Sequence, residues 1–166
     1  MKKSNFLENS KYWITAFEYN QYLEFLKYLD DNKNKEIYIT YYNYFGHKDK
    51  DYLILYCRPV PKKIKGGIFG YLILNNESKV NQQNNINIKV FKDDLVNRCY
   101  SEIDEYVLIK DFIYLKDLVE DNGTTEKSFS IRYIKKFLKM ENIPSNVGNN
   151  IMEKIDSQNT LELEKI

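Results

Sequence analysis

Two apolar runs in the middle of the chain, Asp51 to Cys57 and Ile68 to Leu74, constrain the fold more than any other feature. Each is too short for a typical helix. Neither alternates with polar residues, as a strand with one wet face would. Runs of this kind are strands buried on both faces, so Asp51 to Cys57 reads as a buried central strand. Gly70 lies inside the second run, where a glycine marks a bulge or a close approach of backbones.

The segments around them complete a pattern. Residues 11–16 are aromatic and β-branched and read as a first strand. From Glu18 to Asp31 the period lengthens. Tyr22, Phe25, Leu26 and Leu29 fall on one helical stripe, and a polar turn follows. Residues 36–44 switch to period two. Ile37, Ile39 and Tyr41 take one face, and Tyr38, Thr40, Tyr42 and Tyr44 the other. Phe45 to Lys50 reads as a turn, and Asn75 to Asn85 as a mobile polar loop. Ile86 to Phe91 alternates like a further strand, Asp93 to Glu102 is ambiguous, and Glu105 to Ile109 suits a strand that completes the sheet.

Beyond Asp111 the spacing predicts three helices. The first carries Phe112, Leu115, Leu118 and Val119. The second runs from Ser128, as N-cap, to Met140, and the third from Pro144 to Ile155. No period of 20–50 residues repeats. The expected architecture is α+β: a small mixed or antiparallel β-barrel flanked by an N-terminal helix and C-terminal helices. The expected organisation is one domain over residues 11–155, a flexible segment 1–10 and a tail 156–166.

At 166 residues and 20.0 kDa the chain suits a single domain that needs no disulfide or metal to hold its core. Cys57, Cys99 and one histidine, His47, cannot form a four-ligand zinc site, and both thiols are expected reduced and buried. No metal or cofactor is expected. Lys and Arg total 25 against 24 acidic residues, a formal charge of +1, which excludes a globally basic nucleic-acid binder but permits a local patch. Met1 to Ser10 has no apolar run of a signal peptide, and no stretch of about 20 apolar residues suits a membrane span. An intracellular protein is expected. The 15 tyrosines come with 22 lysines, 19 asparagines and one alanine. This is the bias of an AT-rich genome, such as a giant virus or protozoan, so tyrosine number alone says little.

Three short motifs resemble the PUA-like superfamily and, within it, the EVE domain. Lys11-Tyr-Trp-Ile14 is similar to that family's opening strand. Asp51-Tyr-Leu-Ile-Leu-Tyr56 is similar to its central strand, and Ile64 to Ile73, with its glycines, to the strand that follows. The stretches from Val107 to Leu118 and from Ser128 to Ile155 resemble its closing strand and packing helices. A weaker similarity extends to YTH domains. The resemblance implies a concave pocket in which aromatic side chains and a few hydrogen bonds hold a nucleobase, often a modified one. Two departures stand out. Tyr42 to His47 replaces the family's loop with glycine and arginine, and a single tryptophan cannot build the multi-tryptophan cage of YTH proteins.

The candidate ligand-binding residues are therefore Trp13, Tyr42, Tyr44, Phe45 and His47. Tyrosines on one strand face can stack on bases at about 1–3 kcal/mol each, or they can pack under helices or simply face water. His47 can act as a switchable donor at a pocket rim or sit solvated in its turn. Arg58-Pro-Val-Pro-Lys-Lys-Ile-Lys65 carries four cations, and no acidic residue occurs from Tyr52 to Asn76. Arg58, Lys62, Lys63 and Lys65 suit phosphate contacts, with solubility as the plain alternative. Asp93-Asp94 and Asp104-Glu105 have no histidine or cysteine neighbour, and no nucleophile elbow, phosphate loop or dinucleotide fingerprint occurs. The expectation is a non-catalytic module binding DNA or RNA, with recognition of a modified base in an aromatic pocket as its finer form. Its rivals are a protein-interaction module that kept the barrel without the pocket, and a small metal-dependent hydrolase or nuclease.

Overall fold

The computed structural model describes residues 10–81, 88–121, 125–134, 138–158 and 160. Its strands are β1 (Tyr12–Phe17), β2 (Ile37–Tyr41), β3 (Tyr52–Cys57), β4 (Gly67–Val80), β5 (Cys99–Ile113) and β6 (Glu141–Ile143). Its helices are α1 (Tyr19–Asp31), α2 (Leu115–Asp121), α3 (Glu126–Tyr133) and α4 (Ser145–Asp156). The six strands form one sheet in the order β2-β5-β4-β3-β1-β6. β1 and β3 run parallel and the other pairs antiparallel, so the sheet is mixed. The fold is α+β with flanking helices, but the sheet is open, not a closed barrel: β2 and β6 are its two edges.

β3 explains the apolar runs. Leu53, Leu55 and Cys57 face one core, Tyr52, Ile54 and Tyr56 the other, and all six are buried. On the first face α1 lays down Phe25, Leu26 and Leu29. Burying each side chain stabilises the fold by about 1.5–3 kcal/mol. On the second face sit Leu118 and Val119 of α2, Phe129 and Tyr133 of α3, and Ile151, Met152 and Ile155 of α4. α4 comes so close to β1 that a Cβ on Gly148 would lie 2.3 Å from the Tyr12 ring. Gly70 has φ +155°, and a Cβ there would lie 2.1 Å from the Val107 carbonyl oxygen. The β4–β5 register shifts between Ile68 and Gly70, which is the bulge the sequence foretold.

Several sequence expectations are corrected. The strand expected to reach Tyr44 stops at Tyr41, because residues 42–48 turn off the sheet edge. Asn75 to Val80 is not loop but the second half of β4, paired to β5 through Asn75–Glu102, Lys79–Tyr100 and Val80–Cys99. Among residues 86–91, those described form no strand. Ile88, Val90 and Phe91 are buried from irregular backbone, and residues 86 and 87 lie outside the described residues. Asn97 ties that segment down, with Nδ2 donating to the Phe91 carbonyl at 2.8 Å and Oδ1 bonded to Thr40 Oγ1 at 2.8 Å.

Phe112 belongs to β5, not to a helix, and the N-cap of α3 is Thr125, whose hydroxyl accepts from the Ser128 amide at 3.2 Å. α3 ends at Tyr133 rather than Met140, since the chain must then form β6 against β1. In the stretch read as a tail, Thr160 forms a β-bridge with Ile109. No helix among the described residues is long and apolar enough to cross a membrane.

Candidate nucleic-acid interface

Residues 42–51 leave β2, fold over the first face of the sheet and feed into β3. What holds them there is polar. Asp51 is 2% exposed, and its carboxylate accepts from the amides of Lys11 and Lys48 and from Trp13 Nε1 at 2.9, 2.9 and 3.0 Å. Three donors on one buried carboxylate pin the start of β1, its tryptophan and the loop to one point.

Behind the loop runs a second set of bonds. Tyr41 Oη lies 2.6 Å from Ser78 Oγ and 2.5 Å from Ser101 Oγ, and Ser101 Oγ lies 2.7 Å from His47 Nε2. The other imidazole nitrogen, Nδ1, faces the Lys48 carbonyl oxygen at 3.1 Å. A carbonyl can only accept, so Nδ1 carries the proton and Nε2 accepts from Ser101. The hydroxyl direction then follows along the chain: Ser78 donates to Tyr41, Tyr41 to Ser101, and Ser101 to His47. Burial pushes the His47 pKa below its ordinary 6.5, against the opposing pull of the Lys48 carbonyl and of Asp51. The expectation of a solvated histidine is therefore overturned; His47 is 2% exposed.

Phe45 sits in the middle of this loop and is also buried, at 7% exposure. Its ring centroid is 5.0 Å from Trp13, 5.0 Å from Tyr41 and 4.7 Å from His47. A base sandwiched between two rings needs about 7 Å between them, twice the ~3.4 Å rise of a stacked strand. Trp13 and Phe45 are therefore in contact with each other and not the two walls of a slot.

Tyr42 and Tyr44 do not join that cluster. They are 43% and 58% exposed, and the Arg98 guanidinium lies 5.4 Å from the Tyr42 ring centroid. Val80 and Leu95, also exposed, come from the end of β4 and the 3-10 turn (Asp94–Asn97) just before β5. The common face expected for Tyr38, Tyr42 and Tyr44 does not form, because only Tyr38 of the three lies in β2. Tyr38 packs edge-on to Tyr100, with centroids 5.6 Å apart.

The cationic loop lies at the far end of β3. Arg58 follows Cys57, while Trp13 pairs with Leu53 near the strand's start. The six residues of β3 put about 20 Å between the Asp51 latch and the loop. Its four cations differ. Arg58 Nε lies 3.1 Å from Glu18 Oε1, an ion pair whose angle leaves Nε without a hydrogen bond. Lys65 caps the Tyr114 ring at 5.1 Å. Lys62, in the left-handed region at φ 64°, and Lys63 are exposed to solvent. Sequence reasoning missed Tyr41, Ser78, Ser101 and Arg98. The parity of Tyr41 with Ile37 and Ile39 marked it as inward-facing, whereas nothing local distinguishes the two serines.

Clefts open elsewhere. One of about 630 Å³ lies between the turn after α1 and residues 102–106 of β5. A second of about 280 Å³ lies between α1 and residues 89–92. Among the described residues no group of three or more His, Cys, Asp or Glu could hold a metal ion. Cys57 and Cys99 are both free and buried, and burial pushes the Cys57 thiol up to about 12.

The sequence matches no protein-family model and no curated protein. The fold does have counterparts. A hypothetical protein from Leishmania major superposes with a TM-score of 0.58 at 9% identity, covering 89% of this chain and 96% of that one. The human THYN1 protein, solved in complex with DNA containing 5-methylcytosine, gives a TM-score of 0.56 at 14% identity, covering 90% and 99%. The DUF55 domain of human thymocyte nuclear protein 1 gives 0.50 at 13% identity, covering 89% and 99%. The architecture is the PUA-like, EVE-type fold that the three sequence motifs resembled.

Proposed function

We propose that this chain is a non-catalytic, intracellular nucleic-acid-binding module that takes up a modified base. The observation that carries the reading is the end-to-end correspondence of its fold with a protein held on 5-methylcytosine DNA, extending over 90% of this chain. The residues suit the task. Tyr42 and Tyr44 offer exposed rings for stacking, with Arg98 beside the first. Trp13, Phe45 and His47 supply the aromatic cluster at the loop's root. Lys62 and Lys63, with Lys65 and Arg58 more engaged, supply phosphate contacts at the other end of β3. One strand contacting both ends spans about six nucleotides, given about 3.4 Å per nucleotide.

The test is titration with short modified and unmodified oligonucleotides at two salt concentrations. Binding should weaken with salt and favour the modified strand. No binding at low salt, or indifference to replacement of both Lys62 and Lys63, would overturn the reading.

A protein-interaction module is the second reading, favoured by the direct packing of Phe45 on Trp13 where a base slot would need open space. Under it, Tyr42→Ala with Tyr44→Ala abolishes capture of a protein partner and leaves nucleic-acid retention unchanged.

A further inference from the structure

We infer that Phe45 is a displaceable plug, filling a single-ring site walled by Trp13, Tyr41 and His47, and that the ligand which displaces it is a pyrimidine base. The inference rests on the nucleic-acid reading above and deepens it. Phe45 is the one residue of segment 43–46 whose side chain is inserted; Asn43, Tyr44 and Gly46 are all exposed. The segment has no regular secondary structure, and a Cβ on Gly46 would meet nothing within 4 Å. One benzyl group thus hangs into the protein from an open stretch of backbone.

The three surrounding rings are held independently of the plug. Trp13 is fixed through Asp51, Tyr41 through Ser78 and Ser101, and His47 through Ser101 and the Lys48 carbonyl. Withdrawing Phe45 leaves their hydrogen bonds intact. Trp13 and Tyr41 meet Phe45 edge-on, each at an interplanar angle of 74°, while His47 is tilted at 39°. What Phe45 vacates is the volume of one six-membered ring. A pyrimidine matches that volume. The fused second ring of a purine would have to displace packed walls.

The experiment uses the full chain and its built-in reporter. Trp13 is the only tryptophan, so intrinsic emission reads this site alone. Wild type, Phe45→Leu and Phe45→Ala are titrated with 5-methylcytidine, with adenosine, and with a short pyrimidine oligonucleotide at low salt. Affinity for 5-methylcytidine should rise with the space released, at least tenfold from wild type to Phe45→Ala, with adenosine gaining less. If Phe45→Ala does not fold, Phe45→Leu against wild type decides by the same order. Folded variants that gain nothing, or that bind more weakly than wild type, overturn the plug. If wild type binds the oligonucleotide and the variants gain nothing, only the plug falls. If the variants gain the nucleoside but no form binds the oligonucleotide, the plug stands and the nucleic-acid reading falls.

Discussion

The indole of Trp13 donates to Asp51 Oδ2 at 3.0 Å, and the same oxygen accepts the backbone amide of Lys48 at 2.9 Å. One carboxylate oxygen therefore joins β1 to the loop before β3. The other, Oδ1, accepts the Lys11 amide at 2.9 Å.

Truncating that carboxylate strands buried donors at once. Asp51→Ala is expected to lower the unfolding free energy by about 3 kcal/mol, and Asp51→Asn, which keeps one acceptor oxygen, by about 1–2 kcal/mol. Urea denaturation followed by Trp13 emission checks both. An Asp51→Ala protein within 0.5 kcal/mol of wild type would show that the latch adds little.

His47 gives the molecule a defined acid response. Its folded pKa lies below the ordinary 6.5, so between the two values the unfolded chain binds a proton that the folded chain refuses. Stability is then full above about pH 6.5 and declines as pH falls toward the folded value, by up to about 1.4 kcal/mol per pH unit. Since His47 is the only histidine, His47→Gln should flatten the decline in stability over the range below pH 6.5. Denaturation midpoints across that range measure it, and an unchanged slope in the variant would assign the response elsewhere.

At Gly70 a methyl group has nowhere to go, since backbone φ and the Val107 carbonyl both exclude it. Gly70→Ala should destabilise by at least about 2 kcal/mol, through strain at a positive φ combined with loss of the bulge. The denaturation midpoint reports it. Gly46→Ala, in open space, should fall within about 0.5 kcal/mol of wild type.

Salt dependence separates the cations. If Lys62 and Lys63 each neutralise one phosphate of a single strand, replacing both by Gln should reduce the slope of log K against log salt by about 1.4. Arg58→Gln should change it less, because Glu18 already balances that charge. Equal effects from all four positions would contradict this ranking.

The sequence carried the layered core well and the site poorly, for a physical reason. Burial on both faces of β3 leaves a continuous apolar run, and α1 leaves a 3.6-residue stripe, because each repeats one environment along the chain. Gly70 was legible because only glycine tolerates such an approach. The candidate site is built from groups distant in sequence: His47 meets Ser101, Trp13 meets Asp51, and Tyr41 meets Ser78. No local pattern encodes these meetings. Tyr42 and Tyr44 shared the parity of Tyr38, but parity loses its meaning once the strand ends at Tyr41. Ile86, Ile88 and Val90 alternate in the sequence as a strand does, yet Asn97 satisfies the Val90 and Phe91 amides that a ladder would otherwise take.

β1 lies between β3 and β6, and its Tyr12 carbonyl accepts from Asn142, 130 residues further along the chain. During synthesis the outer rim of β1 is therefore bare until almost the whole domain has left the ribosome. Bare rims of this kind invite pairing between nascent chains, and so much sequence-distant pairing slows productive closure. Yield of this protein should accordingly depend on translation speed and on chaperones that shield a strand edge, more than on the stability of the finished fold.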